Sequence, residues 1–237
     1  MEDTMYWKNR PVDDERVDWR TGGDWITEYW NSQSHPHRDS IINALKGIKF
    51  ESLLEIGCSC GPNLARILKD FPNVKLSGID TNNDLILKGK KELPNVHFKT
   101  GDIRNVNLSG IYDVILVDAV LMYISAKEIT KVLRKINRAS RRMVIIVDWY
   151  DESFLGVIKD HHWCRNYPEL LGVLGFSVTT KKLTEKEWPS QIWTTNGCVF
   201  VGKRSKDLGA EEFQPEEDRP EKIGLNTGGL SGEDQKR

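Results

Sequence analysis

The stretch Leu53-Leu54-Glu55-Ile56-Gly57-Cys58-Ser59-Cys60-Gly61-Pro62-Asn63-Leu64 decides the fold. Its first apolar residues are typical of a buried strand, and two glycines four positions apart predict a tight turn after it. Pro62 stands where a first helical residue belongs, because a missing N–H costs nothing there. A helix is predicted next, since apolar side chains recur close to a 3.6-residue period at Leu64, Ile67, Leu68 and Phe71. A strand, a glycine turn and a helix N-terminus direct backbone N–H groups at one point, which favours a nucleotide-type ligand.

The glycine spacing excludes two common nucleotide-binding motifs. A dinucleotide fingerprint Gly-x-Gly-x-x-Gly would need glycine at positions 57, 59 and 62, and only the first is glycine. A P-loop needs Gly-Lys-Ser/Thr, and none follows. The segment fits Glu-x-Gly-x-x-x-Gly instead, and here it resembles motif I of the class I S-adenosylmethionine-dependent methyltransferases. That family usually has a middle glycine where this chain has Ser59, a departure that bears on cofactor affinity.

Later segments continue the resemblance in order. Residues 74–80 predict a second strand that ends in Asp80, whose carboxylate can accept hydrogen bonds from both hydroxyls of a ribose. Residues 96–99 predict a third strand. Asp102, just beyond it, resembles the family's acid that binds the adenine amino group, with Ile103 against the ring face.

A fourth predicted strand leads to the reacting end of the cofactor. Residues 112–117 are β-branched and apolar, as a central strand buried on both faces should be. Asp118 follows, at a position where family side chains border the transferred methyl group. The resemblance therefore implies S-adenosylmethionine as cofactor, bound by Glu55, Gly57, Cys58, Gly61, Asn63, Asp80, Thr81, Asp102, Ile103 and Asp118.

The sequence offers only isolated candidates for catalysis. Asp118 is a candidate for orienting the acceptor or taking a proton, with simple strand termination as the alternative. His161 and His162 are candidate bases because a histidine pKa lies near working pH; ordinary surface positions are the alternative. No metal site is predicted: His35 and His37 have no readable third ligand. The motifs that mark amino-methylating DNA enzymes and cytosine ring methylation are both missing from the sequence.

Strands alternating with helices, followed by an antiparallel pair at 176–183 and 197–203, predict the fold class. We expect an α/β three-layer α/β/α sandwich with a mostly parallel seven-stranded sheet and an antiparallel last strand. Ser125 is predicted to begin a helix that runs to about residue 138. Trp188 and Trp193 are assigned to a long loop within the final pair.

Composition suggests three regions. Residues 1–38 hold four of the eight tryptophans and predict a helical cap, which in this family often helps to shape the acceptor pocket. Residues 39–204 form the predicted methyltransferase domain. Residues 205–237 contain nine acids against five bases and no apolar periodicity, so we expect a disordered acidic tail.

Charge and hydropathy limit the partners. The overall charge is −1, so the residues before the tail carry +3, which gives little support for a nucleic-acid surface. No run approaches 18 apolar residues, and we expect a cytoplasmic protein without a membrane partner. A small-molecule or sugar-like acceptor is the first hypothesis. Methylation of a protein or nucleic acid, or a non-catalytic binding module of the same fold, are the alternatives. The oligomeric state is not readable.

Overall fold

The computed structural model describes residues 7–9, 25–108, 110–150 and 162–204, together with the backbone of 157–159. The main-sheet strands are β1 (Ser52–Ile56), β2 (Lys75–Asp80), β3 (His97–Thr100), β4 (Tyr112–Asp118), β5 (Ser140–Trp149), β8 (Phe176–Lys182) and β9 (Gly197–Arg204). A separate antiparallel pair consists of β6 (Val157–Lys159) and β7 (His162–Trp163). The order across the main sheet is β3-β2-β1-β4-β5-β9-β8.

Strand direction agrees with the predicted fold class. The first five strands pair in parallel. β9 is antiparallel to both of its neighbours, β5 and β8, so it alone of the seven runs against the rest. The prediction of a mostly parallel seven-stranded sheet with an antiparallel last strand is confirmed.

Helices lie along the chain between these strands. Those bounded within the described ranges are α1 (Trp25–Asn31), α2 (His37–Leu45), α3 (Pro62–Asp70), α4 (Asn83–Glu92), α5 (Ile129–Ala139), α6 (Tyr167–Val173) and α7 (Gln191–Asn196). Short 3-10 turns cover Ser32–Ser34 and Leu121–Tyr123. Pro62 is the first residue of α3, as predicted. α2 runs across the boundary predicted between residues 38 and 39.

Both faces of the sheet are buried, which makes the architecture three-layered. Along β1, Leu53 joins one apolar cluster while Leu54 and Ile56 join the other. The first cluster includes side chains of α2 and α3, and the second includes side chains of α5 and α6. Burial on both faces explains why the central strands are continuous apolar runs and not alternating ones.

The structure corrects several local predictions. α5 begins at Ile129 and not at Ser125, because Ser125 closes a turn: its hydroxyl bonds the Glu128 carboxylate at 3.1 Å and its carbonyl accepts from the N–H of Ile129. Residues 101–108 and 110–111, the described part of the connection from β3 to β4, contain no helix. Trp193 lies in α7 and not in a loop.

The carboxyl ends of the parallel strands form one edge. β1 lies at the point where the strand order reverses, with β2 on one side and β4 on the other. Open α/β sheets bind ligands at such a switch point, outside the carboxyl ends of the strands. The ends of β1, β2 and β4 therefore deliver their following residues to one crevice.

Candidate active site

The turn after β1 has three residues in the left-handed backbone region: Gly57 (φ +71°), Ser59 (φ +52°) and Gly61 (φ +88°). Glycine adopts this conformation freely, whereas serine does so at a cost of about 1–2 kcal/mol. The N–H of Ser59 donates to Asp80 Oδ2 at 2.8 Å, and the N–H of Gly57 donates to the Ile79 carbonyl. The end of β2 thus holds the turn in shape, even with a serine at its centre.

The two glycines face opposite sides of the turn. A Cβ on Gly57 would lie 2.2 Å from Val120 Cγ2, in the loop after β4, so only glycine allows this approach. A Cβ on Gly61 would lie 2.8 Å from Phe98 Cζ, below the turn. Gly57 therefore forms part of the crevice, and Gly61 packs closely against the Phe98 ring instead.

A cavity of about 450 Å³ occupies this crevice, a size typical of small-molecule sites. Nine of the ten predicted cofactor-binding residues line it: Glu55, Gly57, Cys58, Asn63, Asp80, Thr81, Asp102, Ile103 and Asp118. Gly61 is not among the lining residues. Neither is His162, whose ring lies against Tyr123 and Trp149 with centroids 4.7 and 5.1 Å away. His161 lies outside the described residues.

An amide joins two carboxylates on the cavity wall. Asn63 Nδ2 donates to Glu55 Oε1 at 2.6 Å and to Asp118 Oδ2 at 2.9 Å. Glu55 Oε2, Asn63 Oδ1 and Asp118 Oδ1 are buried and have no hydrogen-bond partner among the described residues. Three acceptor oxygens at one place call for a ligand that brings donors, because an unmade buried hydrogen bond costs about 1–3 kcal/mol.

Two histidines from the start of α2 extend this chain of contacts. His37 Nε2 lies 2.9 Å from Asp118 Oδ2, and His37 Nδ1 lies 2.6 Å from His35 Nδ1. The indole of Trp188 packs on both imidazoles and stacks on Trp193 with ring centroids 3.8 Å apart. Asp118, the end of β4, is thereby connected to the segment that precedes the first strand.

Burial and neighbouring charges set the ionisation of this cluster. Burial raises the pKa of Glu55 well above its usual value. Burial acts upward on Asp118 too, but His37, Arg38 and Asn63 outweigh it and hold the pKa of Asp118 below its usual value. Burial, with the charges of His37 and Arg38, lowers the pKa of His35 to about 4. His35 is therefore neutral at physiological pH.

Arg38 brings a buried positive charge to the same wall. Its Nη2 donates to Ser32 Oγ at 3.1 Å, while its Nε is buried without a partner in the described part of the chain. Burial lowers the pKa of Arg38, with the charges of Asp118 and Glu55 opposing that shift. A buried guanidinium with an unused N–H suits an anionic group of a ligand.

The carboxylates after β2 and β3 already have donors. Asp80 Oδ1 accepts from the N–H of Asn82 at 2.9 Å, in addition to the Ser59 bond on Oδ2. The guanidinium of Arg104 bonds Asp102 through Nε at 3.1 and 3.0 Å. Each Asp80 oxygen keeps a second lone pair, whereas each Asp102 oxygen accepts two bonds from Arg104, whose backbone N–H and Nη2 also donate. The ribose and adenine contacts stay predictions. Burial raises the pKa of Asp80; at Asp102 burial acts the same way, but Arg104 brings the pKa below its usual value.

Sequence reasoning expected an N-terminal cap beside the acceptor pocket but did not assign individual residues of it to the site. Tyr29, His35, His37 and Arg38 all line the cavity, as does Trp188 from the connection between β8 and α7. The run His-Pro-His-Arg at 35–38 was the available signal, because clustered basic residues next to a predicted helix start are unusual in a merely structural cap. Within the described ranges, no group of three or more His, Cys, Asp or Glu side chains is arranged to hold a metal ion.

Comparison with known proteins shows which domain the sequence resembles. Residues 53–142 match the family model described as a methyltransferase domain. Trans-aconitate 2-methyltransferase of Deinococcus radiodurans is 29% identical over 98 residues, 41% of this chain and 37% of that protein. Malonyl-[acyl-carrier protein] O-methyltransferase 1 of Ilyobacter polytropus is 30% identical over 119 residues, 48% of this chain and 44% of that protein. The chain thus spans less than half the length of these relatives.

Solved structures share the fold. Magnesium protoporphyrin IX methyltransferase from Synechocystis PCC 6803 with bound SAM superposes with a TM-score of 0.62 at 15% identity, covering 86% of this chain and 98% of that one. The plantazolicin methyltransferase in complex with a monoazolic analogue and SAH gives a TM-score of 0.60 at 17% identity, with 86% and 95% covered. No helix in the described ranges is both long and apolar enough to cross a membrane. Residues 53–142 of this chain thus match a methyltransferase domain, and the fold around them is one that S-adenosylmethionine-dependent methyltransferases share.

Proposed function

We propose that this chain is an S-adenosylmethionine-dependent methyltransferase whose acceptor is a small molecule. The observation that carries the proposal is the group of buried polar atoms left unpartnered beside the cavity: Glu55 Oε2, Asn63 Oδ1, Asp118 Oδ1 and Arg38 Nε. The amino-acid end of the cofactor carries an ammonium group with three N–H donors and a carboxylate. Three acceptors and one cationic donor are the complement of that end.

The other residues fit the rest of the cofactor. Asp80 ends β2 with spare lone pairs for the ribose hydroxyls, and Asp102 with Ile103 follows β3 for the adenine. Ser59 keeps the left-handed conformation that the turn needs and donates to Asp80. That intact geometry argues against decay into a module that no longer binds the cofactor.

The chain's own task in methyl transfer is alignment. When bound, the cofactor supplies a methyl group already activated by its positive sulfur. The cavity residues hold the two reactants in line and exclude water, and such positioning is worth roughly 7–11 kcal/mol in the best cases. The aromatic residues Tyr29, Tyr123 and Trp188 are among those that line the cavity.

A small acceptor suits the enclosure and the charge. The N-terminal segment and the loop that carries Trp188 both contribute to the cavity walls, and a charge of +3 before residue 205 gives weak attraction for nucleic acid. Two of the relatives compared above are named for small acceptors, trans-aconitate and magnesium protoporphyrin IX. We place this chain's acceptor in the same broad class.

Calorimetry and a transfer screen test the proposal. S-adenosylhomocysteine is titrated into the full chain, and then labelled S-adenosylmethionine is offered with separate metabolite, peptide and RNA pools. We expect measurable binding and label transfer to the metabolite pool. No binding at millimolar concentrations would favour the non-catalytic module, and label in the peptide or RNA pool alone would favour a macromolecular acceptor.

A further inference from the structure

The direction of the hydrogen-bond chain Asp118–His37–His35 depends on the charge of His37: a neutral His37 accepts from His35, whereas a cationic His37 donates to it. An ionised Asp118 accepts hydrogen bonds, so His37 must carry its proton on Nε2, 2.9 Å away. A neutral His37 then accepts at Nδ1, and His35 must donate from its own Nδ1 across 2.6 Å. His35 Nε2 is left as a bare lone pair, and it has no partner within the described residues.

His35 alone is a weak base, because burial and the charges of His37 and Arg38 lower its pKa to about 4, so a relay that moves the proton's charge away from it is needed. Both histidines line the cavity, but His37 is only 3% exposed and its two ring nitrogens already face Asp118 and His35. A proton taken at His35 Nε2 lets the Nδ1 proton move to His37. The resulting positive charge then rests on His37 beside the Asp118 carboxylate, where an ion pair stabilises it.

We propose that His35 is the base that deprotonates the methyl acceptor, with His37 and Asp118 as positioning residues, and that the acceptor is the hydroxyl of a planar aromatic molecule. This rests on the proposed methyl transfer. The acceptor oxygen bonds the methyl carbon as the bond from that carbon to the cofactor's sulfur breaks, and the electron pair stays on sulfur. The hydroxyl proton goes to His35 Nε2.

The choice of acceptor follows from the aromatic residues that line the cavity and from the need for a base. A carboxylate acceptor is already ionised at pH 7 and would not use the relay, whereas a phenolic hydroxyl has a pKa near 10. Trp188 lies edge-on to His35, with ring centroids 5.1 Å apart. Tyr123 lines the cavity and meets Trp7 edge-to-face at 5.4 Å. Aromatic walls favour a flat, apolar ligand body.

Histidine tautomers test the relay without any acceptor. We would label the full chain with ¹⁵N-histidine and record long-range ¹H–¹⁵N correlations at pH 7, with and without S-adenosylhomocysteine. Signals are assigned with His35→Asn, and His97→Asn is the matched control at an exposed strand position. We expect protons on His37 Nε2 and His35 Nδ1. A proton on His35 Nε2 in the resting protein would overturn the proposal.

Methyl transfer to matched probes tests the acceptor class. The probes are 2-naphthol, 2-naphthoate and 4-nitrophenol, assayed with labelled donor. We expect naphthol to be methylated, and His35→Asn to lower kcat by about 10²–10⁴-fold with unchanged S-adenosylhomocysteine affinity. An asparagine amide keeps the donor to His37 but offers no base. His97→Asn should behave as wild type.

An ionised acceptor separates a proton-transfer role from a structural one. His37→Gln keeps an N–H for Asp118 but breaks the link to His35. At pH 9, where 4-nitrophenol is ionised, the loss of rate caused by His35→Asn or His37→Gln should be much smaller for 4-nitrophenol than the loss measured for naphthol at pH 7. Equal loss on both phenols, or methylation of naphthoate in preference to naphthol, would overturn the relay. If S-adenosylhomocysteine binds but no probe is methylated, the proposal of an aromatic hydroxyl as acceptor is overturned. If S-adenosylhomocysteine does not bind, the proposed function itself is overturned.

Discussion

Replacing Asp80 by alanine is expected to weaken S-adenosylhomocysteine binding by about 10- to 100-fold, roughly 1.4–2.8 kcal/mol. The loss comes from charge-assisted hydrogen bonds to the two ribose hydroxyls. Asp80 lies at the end of β2, lines the cavity, and keeps spare lone pairs on both oxygens.

The same substitution also removes two bonds inside the protein. Asp80 accepts from the N–H of Ser59 at 2.8 Å and from the N–H of Asn82 at 2.9 Å. Leaving those donors unpaired costs about 1–3 kcal/mol each where water cannot reach them. Ser59 is held in a left-handed conformation, so the turn should also relax. We expect the free energy of unfolding to fall by about 2–4 kcal/mol.

Two measurements separate these effects. Calorimetry at a temperature well below the unfolding transition gives the affinity of the folded variant, and urea unfolding gives its stability. Asp84→Ala is the control, because it removes an equal charge from an exposed position at the start of α4, outside the cavity. Unchanged affinity in Asp80→Ala, or an equal loss in Asp84→Ala, would refute the assignment of Asp80 to the cofactor.

Three further changes test other parts of the structure. Gly57→Ala should lower the free energy of unfolding by at least about 2 kcal/mol and abolish cofactor binding, because its Cβ would clash with the loop after β4. Gly172 lies in α6 with open space around it, so Gly172→Ala should raise the free energy of unfolding, measured in urea, by about 0.5–1 kcal/mol. Burial acts upward on the pKa of Glu187, but hydrogen bonds from Lys181 and two hydroxyls bring it to about 2. A carboxyl group whose pKa is lowered on folding stabilises the folded state above pH 4.5, and this contribution is lost as the pH falls toward 2. Glu187→Gln should therefore lower the free energy of unfolding at pH 7 by about 1 kcal/mol, a small value because the partner Lys181 is exposed. The difference in stability between the variant and the wild type should shrink in acid. Truncation after Arg204 should leave the melting temperature within a few degrees, whereas removing Arg204 as well should lower it, because its Nη2 bonds the Asn137 carbonyl at 2.9 Å.

Local patterns predicted the centre of the fold because their causes are local. The strand, glycine turn and helix at 52–70 follow from apolar runs, left-handed glycines and a proline at the helix start. Parallel strands bring their carboxyl ends to one edge, so Glu55, Asp80 and Asp102 were expected on one cavity, and all three line it.

The rest depends on contacts between distant parts of the chain. His37 and Asp118 are separated by 81 positions, and nothing in the periodicity around either residue indicates that they meet. The prediction that α5 begins at Ser125 was wrong for another reason. Serine is a residue type that often caps helices, but the Ser125 hydroxyl donates to the Glu128 carboxylate, and the helix begins at Ile129.

Asp118 connects the two proposals physically. One of its oxygens accepts from both Asn63 and His37, and the other is free of protein donors in the described ranges. The next residue, Ala119, is a non-glycine residue at φ +54°, and such strain persists only where the surroundings hold it. A change at Asp118 should therefore alter cofactor affinity and histidine tautomer together. For that reason His35, which bonds His37 and is one residue removed from Asp118, is the position that distinguishes proton transfer from cofactor binding.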